Sequence, residues 1–161
     1  MTMKSSLENL EGHSHKLKPM ESSIFHARRG TLPHAEIGTL DSLTDIPFEV
    51  KRVFYIYDTL EGVVRGNHSN LKSQFALVCL HASCRVRVRR SAHPEQDKIF
   101  LLDQPYKVLL LSELAWKEMY DFTPGSVLLC LSSEVYDPRE YIRKFNQFLE
   151  LTDRLAIGES F

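Results

Sequence analysis

The sequence predicts an all-β protein, a sandwich or barrel accompanied by one C-terminal helix. Two observations indicate this fold class. From Ile24 onward, short apolar runs alternate with turn residues at regular spacing, which is typical of consecutive short strands. After Asp137 the apolar residues change to a helical period, with Tyr141, Phe145 and Phe148 on one stripe. A chain of 161 residues fits a single domain that is large enough to bury a core.

Composition and charge argue against several classes of function. Hydrophobic residues make up 43% of the chain and charged residues 25%, as in ordinary soluble globular proteins. The formal net charge of −1 gives no reason to expect a nucleic-acid partner. No apolar run approaches the roughly 20 residues that cross a membrane; the longest, Phe75–Leu80, has six. Because the start of the chain does not resemble a signal peptide, we expect a cytoplasmic protein with no membrane partner.

The three cysteines are predicted to be buried thiols. Cys79, Cys84 and Cys130 are odd in number, lie in apolar runs and lack the C-x-x-C spacing of zinc or redox sites. Reduced thiols inside a cytoplasmic protein therefore fit better than disulfides or a zinc site.

Three segments are expected along the chain. Residues 1–22 are polar and follow neither apolar period, which predicts a disordered N-terminal arm. Residues 23–155 form the single predicted domain, and residues 156–161 a short tail. His13 and His15 have the spacing of a metal pair, but the arm is too polar to fold around an ion. We therefore predict no metal site there.

Strands are predicted where β-branched, aromatic or alternating residues lie between turns. They cover 48–57, 73–80, 84–89, 99–102, 105–111 and 126–131, with a loop over 58–66. In the alternating run 84–89, Arg85, Arg87 and Arg89 share one face. That row could bind nucleic acid, but no aromatic residues interleave with it for stacking, so a solvated face is the favoured interpretation.

Asp137 is predicted to begin the C-terminal helix. It supplies the N-cap, Pro138 takes the first helical position and Glu140 completes a capping box. The apolar stripe that follows should pack this helix against the β body.

Seven segments of the chain resemble those of one enzyme family. They are RGTL (29–32), IPFEVKRVFY (46–55), RGNH (65–68), PY (105–106), WKEMYDF (116–122), SEVYD (133–137) and YIR (141–143). In order and spacing they are similar to the small cupins that act as 3,4-ketoisomerases on dTDP-4-keto-6-deoxyhexoses. The resemblance covers roughly residues 24–150, and the set is more specific for the family than any one segment.

The resemblance implies a cupin jelly roll, also called a double-stranded β-helix, that forms a homodimer. It also implies that a dTDP-sugar binds in the mouth of the barrel and that neither a metal nor an organic cofactor is needed. In the reaction a base removes the proton at C3 of the hexose, an enediol forms, and a proton returns at C4. This is general acid–base chemistry, to which each positioned group typically contributes about 10²- to 10⁴-fold.

Two positions depart from the family pattern. The family's loop is R-G-x-H-x-H, and its second His, the favoured proton shuttle, is replaced here by Asn70, whose amide cannot titrate. The residue after the Trp is usually His or Arg, and here it is Lys117. Metal-binding cupins place His, His and Glu where this chain has His68, Asn70 and Gln74, so we expect no bound metal.

The predicted site residues follow from the resemblance. His68 would be the catalytic base, and Asn70 and Tyr57 would polarise the carbonyls of the sugar. Arg65 and Lys117 would hold the anionic ligand, although Lys117 could instead be an acid–base group if burial lowers its pKa. Further substrate contacts are predicted from Tyr55, Lys72 and Trp116.

Several of these residues also have an ordinary structural interpretation. His68 could be bonded to a neighbouring strand, Arg65 could form a surface salt bridge, and Trp116 could anchor the core rather than stack on thymine. Lys72 could simply be solvated. Gly66, by contrast, has a functional interpretation, because a glycine beside Arg65 would allow close backbone approach to a ligand.

Four functions are considered at the level of sequence, of which a metal-dependent cupin oxygenase or isomerase is disfavoured, because Asn70, Gln74 and Lys117 stand at three of the four usual ligand positions. The favoured one is an isomerase that supplies deoxysugars for surface polysaccharide. The loss of the second His also fits a catalytically altered, nucleotide-sugar-binding cupin without isomerase activity. A family enzyme that acts on another nucleotide sugar fits as well.

Overall fold

The structure is a computed structural model that describes residues 21–157. Most of the predicted arm, including His13 and His15, lies outside the described residues, as do residues 158–161 of the predicted tail. The strands and the helix are β1 Ser23–His26, β2 Arg28–Leu32, β3 Ala35–Thr39, β4 Arg52–Tyr57, β5 Arg65–Asn70, β6 Phe75–His81, β7 Cys84–Arg89, β8 Lys98–Leu102, β9 Lys107–Leu111, β10 Trp116–Tyr120, β11 Val127–Ser132, β12 Tyr141–Ile142 and α1 Phe145–Ala156.

Two five-stranded antiparallel sheets form the body. The first sheet has the order β1-β9-β6-β11-β4 and the second β12-β5-β10-β7-β8, while β2 and β3 form a separate hairpin. Apart from the consecutive pair β7 and β8, neighbouring strands within each sheet are not consecutive in the chain, because the chain passes repeatedly from one sheet to the other, as in a jelly roll. The predicted all-β jelly roll with one C-terminal helix is confirmed.

The main core lies between the two sheets. Alternate residues of each strand face inward, so Leu77 of β6 and Val86 of β7 belong to one buried cluster. A second cluster covers the outer face of the first sheet, where Val78 packs with Ile46 and Phe48. Because the faces alternate, the position of a residue along its strand decides whether its side chain reaches the interior.

The predicted strands correspond to β4, β6, β7, β8, β9 and β11, with differences of up to four residues at their ends. The segment around His68, which we expected to be a site loop, is instead strand β5 of the second sheet. Its polar composition concealed a strand that pairs with β10 on one side and β12 on the other.

The arginine row of β7 lies on the outer face of the second sheet and is solvated only in part: the side chain of Arg85 is 49% exposed, whereas that of Arg89 is 19% exposed and lies 4.0 Å from the centre of the Phe145 ring. Each of its three guanidinium groups lies 3.1–3.5 Å from a carboxylate of this chain; the pairs are Arg85–Asp121, Arg87–Glu118 and Arg89–Asp97. The row is therefore neutralised by its own counterions.

The C-terminal helix begins at Phe145 and not at Pro138. Asp137 does accept a backbone hydrogen bond at 3.0 Å, but it caps only the short 3-10 helix Pro138–Glu140. The side chain of Glu140 is buried and accepts a backbone hydrogen bond from Ser73 at 3.1 Å. The predicted capping box is wrong because buried donors elsewhere in the fold take up this carboxylate.

Helix α1 packs on the outer face of the second sheet. The rings of Phe145 and Phe148 lie with their centroids 5.0 and 5.7 Å from that of Trp116. The predicted stripe is confirmed for these two residues but not for Tyr141, which belongs to β12.

All three cysteines are buried free thiols, as predicted. Within residues 21–157, no helix has the length and apolarity needed to cross a membrane.

Candidate functional site

A cavity of about 170 Å³ opens into the space between the two sheets. The first sheet supplies one wall, which is apolar except for one thiol and consists of Phe54, Ile56, Phe75, Leu77 and Cys130. The second sheet supplies the opposite wall through β5, β10 and β12, and this wall carries the polar groups Arg65, His68, Lys117 and Tyr141 together with Gly66 and Met119. Three of the predicted site residues, Arg65, His68 and Lys117, are thus brought together.

Gly66 allows β5 and β10 to approach each other closely within the polar wall. Its φ is +86°, and a Cβ at this position would lie 2.6 Å from the backbone oxygen of Lys117 and 2.9 Å from Cε of Met119. The register of β10 against β5 shifts between Lys117 and Glu118, as at a β-bulge. The close neighbour of this glycine is therefore strand β10, and the bulge lies at the residue whose side chain enters the cavity.

His68 is held in one tautomer. Its Nδ1 lies 2.9 Å from the carbonyl oxygen of Gly66, which can only accept, so Nδ1 carries the hydrogen and Nε2 keeps a lone pair. Burial, followed by the charge of Lys117, lowers the pKa of His68 to about 4, although the Gly66 carbonyl favours the cation. At neutral pH the imidazole is therefore uncharged and able to accept a proton.

Lys117 is only 4% exposed, and its amine is enclosed within the protein. Nζ donates a hydrogen bond to Oδ1 of Asn70 at 2.5 Å and lies 4.7 Å from the centroid of the Phe75 ring. Burial lowers the pKa of Lys117 to about 7, and the carboxylate of Glu140 opposes this shift. The amine can therefore gain or lose a proton near neutrality.

Asn70 connects this amine to a buried carboxylate. Its Nδ2 donates to Oε1 of Glu140 at 3.3 Å, and the backbone nitrogens of Lys72 and Ser73 donate to Oε2 at 3.3 and 3.1 Å. Because an ammonium only donates and a carboxylate only accepts, one orientation of the Asn70 amide satisfies both neighbours. Asn70 is 1% exposed and is not among the residues that line the cavity, so this geometry does not present its amide to a carbonyl of the substrate, as had been predicted.

A basic and aromatic group, the rim cluster of Arg52, Tyr136, Tyr141 and Arg143, lies beside the cavity. The Tyr141 ring lies 4.9 Å from the His68 ring, centroid to centroid. The Arg52 guanidinium is 5.0 Å from the Tyr136 ring, and that of Arg143 is 4.9 Å from the Tyr141 ring. The sequence analysis did not identify this cluster because Tyr141 was assigned to the helix, although all four members lie in segments that carry the family resemblance.

Tyr55 and Tyr57 do not reach the cavity. They share one face of β4, as expected, but they are 63% and 59% exposed on its outer side, whereas Phe54 and Ile56 face inward. The assignment of Tyr57 to catalysis and of Tyr55 to substrate binding is therefore wrong for the cavity of this chain. Strand alternation fixes which residues share a face, but not which face is internal.

Trp116 and Lys72 also lie away from the cavity. Trp116 packs against Phe145 and Phe148 and donates from Nε1 to Glu118 at 3.2 Å, so it anchors the core and is not placed to stack on a base. The side chain of Lys72 is exposed, and only its backbone contacts the buried carboxylate. The contact predicted for Trp116 is corrected, and Lys72 is not among the residues that line the cavity.

No cluster of three potential His, Cys, Asp or Glu metal ligands occurs between residues 21 and 157. At the metal-ligand positions of other cupins, Asn70 is bonded to an amine, and Gln74 donates to Glu113 at 3.1 Å.

Comparison with known proteins relates this chain to the 3,4-ketoisomerases. The family model described as WxcM-like, C-terminal (FdtA) matches residues 15–153. A TDP-4-oxo-6-deoxy-alpha-D-glucose-3,4-oxoisomerase from Aneurinibacillus thermoaerophilus is 33% identical over 129 residues, which cover 80% of this chain and 91% of the relative.

Solved structures of 3,4-ketoisomerases have the same fold. The one from Helicobacter canadensis superimposes with a TM-score of 0.78 at 31% identity, covering 83% of this chain and 98% of the other. A mutant of the Thermoanaerobacterium thermosaccharolyticum enzyme in complex with TDP-4-keto-6-deoxyglucose also gives a TM-score of 0.78, at 32% identity, over 86% and 97% of the two chains. The chain therefore belongs to the WxcM-like, C-terminal family of cupins.

Proposed function

We propose that this protein is a nucleotide-sugar 3,4-ketoisomerase that acts on a TDP-linked 4-keto-6-deoxyhexose. The main support is the agreement between relatives with this activity and a cavity that presents a neutral imidazole, His68, beside a buried amine, Lys117. We assign the protein to the cytoplasm, which the three free buried thiols favour.

The size of the cavity suggests which part of such a ligand lies inside it and which part lies outside. About 170 Å³ is small beside the roughly 300–1,000 Å³ of a typical ligand pocket, so we place only the hexose inside. The apolar wall suits the C6 methyl of a 6-deoxyhexose, and the polar wall its oxygens. Arg65 and the rim cluster offer guanidinium groups for the pyrophosphate and aromatic rings for the thymine.

His68 is the proposed carbon base. Because its Nδ1–H is bonded to the Gly66 carbonyl, the lone pair of Nε2 is the one that can accept the proton from C3. The resulting enediol collapses when His68 returns a proton to C4, and the carbonyl then stands at C3. The isomerisation is internally balanced and consumes no oxidant or reductant.

Incubation with TDP-4-keto-6-deoxyglucose in heavy water tests this function. NMR should show deuterium entering the hexose and a 3-keto product accumulating. His68→Ala should lower kcat by about 10²- to 10⁴-fold without changing the Kd for TDP. His93→Ala removes an exposed imidazole outside the site and should change neither. A protein that binds TDP but gives no exchange and no product contradicts the proposal.

The alternative, a binding protein without isomerase activity, is favoured by one observation. Asn70 stands where the family has its second His, and its amide is bonded on both sides within the protein. Asn70→His distinguishes the two functions. If this change creates isomerase activity in a protein that had none, the native chain is a binder.

We further propose a homodimer that uses the outer face of β4. Val53, Tyr55 and Tyr57 form an apolar face with exposures of 57%, 63% and 59%. The β2–β3 hairpin is exposed at every residue, and an isolated hairpin is marginally stable alone, so a second copy that covers it would complete its packing. Tyr57→Glu should reduce the sedimenting mass to that of a monomer, whereas Ile99→Glu, on the other sheet, should not. A monomeric wild-type protein contradicts the dimer.

A further inference from the structure

The polar wall contains a buried chain of hydrogen bonds that the proposed carbon base does not use. It runs from Nζ of Lys117 through the amide of Asn70 to the carboxylate of Glu140, at 2.5 and 3.3 Å. All three residues are at most 6% exposed. Glu140 is fixed in turn by the backbone nitrogens of Lys72 and Ser73 and by the Ser73 hydroxyl. The amine of Lys117 is therefore held in place by Asn70, on the side away from the cavity, while Lys117 lines the cavity on its other side.

Lys117 and His68 are direct partners in the β5–β10 ladder. Side chains of paired residues on one face of a sheet have Cβ atoms about 4.5–5.5 Å apart, so both nitrogens can reach one small ligand. The other ionisable groups that shift the pKa of Lys117 are Glu140 behind it and Cys130 on the opposite wall. Arg65 of β5 and Tyr141 of β12 also face the cavity, while β4 and β6 contribute only apolar side chains there. The cavity thus holds two proton-exchanging groups of different strength.

We propose that Lys117 is the second catalytic residue of the isomerase and that Asn70 and Glu140 are its positioning residues. This inference rests on the proposed function. The titratable group that the family carries at position 70 of β5 is replaced by an amine that enters the cavity from position 117 of β10. The proton-carrying role has therefore moved from position 70 to position 117 and has not been lost.

The division of labour balances every proton. His68 Nε2 takes the proton from C3, and the ammonium of Lys117 gives a proton to O4 as the C4 carbonyl becomes an enol. The neutral amine then accepts the proton of the C3 hydroxyl as the C3 carbonyl forms, and His68 delivers its proton to C4. One hydrogen has moved from C3 to C4 and one from O3 to O4. Both residues end in their starting states.

The lowered basicity of Lys117 is consistent with its role. An acid that must protonate and then deprotonate oxygen works best with a pKa near the working pH, and burial places the pKa of Lys117 at about 7. Because catalysis starts from neutral His68 and charged Lys117, kcat/KM should fall at high pH as Lys117 loses its proton. Removing negative charge near Nζ should move this basic limb of kcat/KM to lower pH, and adding negative charge should move it to higher pH.

Two variants therefore have opposite predicted effects. Glu140→Gln removes the carboxylate that favours the cation, so the basic limb of kcat/KM should move to lower pH. Asn70→Asp places a carboxylate where Oδ1 now accepts from Nζ, so the limb should move to higher pH. A purely structural role for these residues would alter the rate without moving the limb. Lys117→Met should lower kcat by about 10²-fold or more while TDP binding, measured by calorimetry, persists.

Lysine-selective ¹³Cε NMR gives a readout independent of activity. Wild-type Lys117 should titrate near neutrality, and the resonance assigned by its loss in Lys117→Met should shift in the same opposite directions in the two variants. Lys98→Met, which removes an exposed lysine, is the matched control for the kinetics and should behave as wild type. An active wild type with unchanged kcat in Lys117→Met overturns this inference and leaves the isomerase intact. A wild type that binds TDP without turnover overturns the isomerase, and this inference with it.

Discussion

Replacing Lys117 with Met should stabilise the fold at neutral pH while it removes the proposed activity. The folded protein holds the amine in a site that is 4% exposed, with an apolar ring 4.7 Å away. Placing a charge there costs free energy that one amide and a more distant carboxylate repay only in part. Met has a similar shape without the charge.

The magnitude follows from the pKa of Lys117 in the two states. Unfolding restores it from about 7 to the ordinary value of 10.5. Between these pH values the unfolded chain binds more protons, so the free energy of unfolding rises with pH. The protonation penalty on the folded state is about 4 kcal/mol at pH 7 and about 2 kcal/mol at pH 9. Because Met leaves Asn70 Oδ1 without its donor, at a cost of about 1–3 kcal/mol, the net gain at pH 7 should be about 1–3 kcal/mol.

Urea unfolding of both proteins at pH 7, 8 and 9 measures this effect. The difference between wild type and Lys117→Met should shrink by about 2 kcal/mol from pH 7 to pH 9, because only the wild type gains stability from this titration. Taking the difference cancels other ionisations, including those of the cysteines. Lys98→Met should follow the wild type at every pH. Parallel curves for wild type and Lys117→Met would refute the buried, weakly basic amine.

Three other predictions concern separate parts of the molecule. Gly66→Ala should lower the free energy of unfolding by about 2–4 kcal/mol in chemical denaturation, because its Cβ meets a backbone oxygen at 2.6 Å; Gly62→Ala, also at positive φ but with no atom within 4 Å, should lose only about 1 kcal/mol. The acidic limb of kcat/KM should lie nearer pH 4 than 6.5, because burial lowers the pKa of His68 to about 4; a limb near 6.5 contradicts this. Phe148→Ala should cost about 3–5 kcal/mol in the same denaturation assay and leave the calorimetric Kd for TDP unchanged.

The strands were predictable because their signal is local. Alternation in 84–89 and the apolar runs at 73–80 and 105–111 follow from the pleat and from burial on both faces. The helix start was not predictable, because the motif at 137–140 is a sound local cap whose glutamate bonds to residues almost 70 positions earlier in the chain. A local rule gives way where a buried polar network needs the side chain.

The site was predictable in part for the same reason. His68, Arg65 and Lys117 were found from their place in the family pattern, and all three line the cavity. Tyr55 and Tyr57 were misplaced because alternation alone does not orient a strand. Tyr141 and Glu140 were assigned to a helix that begins later in the chain, so their contribution to the site emerged only from the structure.

The chemistry of the amide explains why Asn70 and Lys117 belong together. Oδ1 of Asn70 can accept a hydrogen bond from either an ammonium or a neutral amine, although the ammonium gives the stronger bond, so Lys117 can change its charge without losing its anchor. A histidine at position 70 would titrate beside that amine, and the two cations would repel each other. An amide at position 70 of β5, where the family has a histidine, therefore suits a lysine at position 117 of β10. A single histidine in the cavity is therefore compatible with an isomerase, and Lys117→Met tests whether the amine takes over the role of the second histidine.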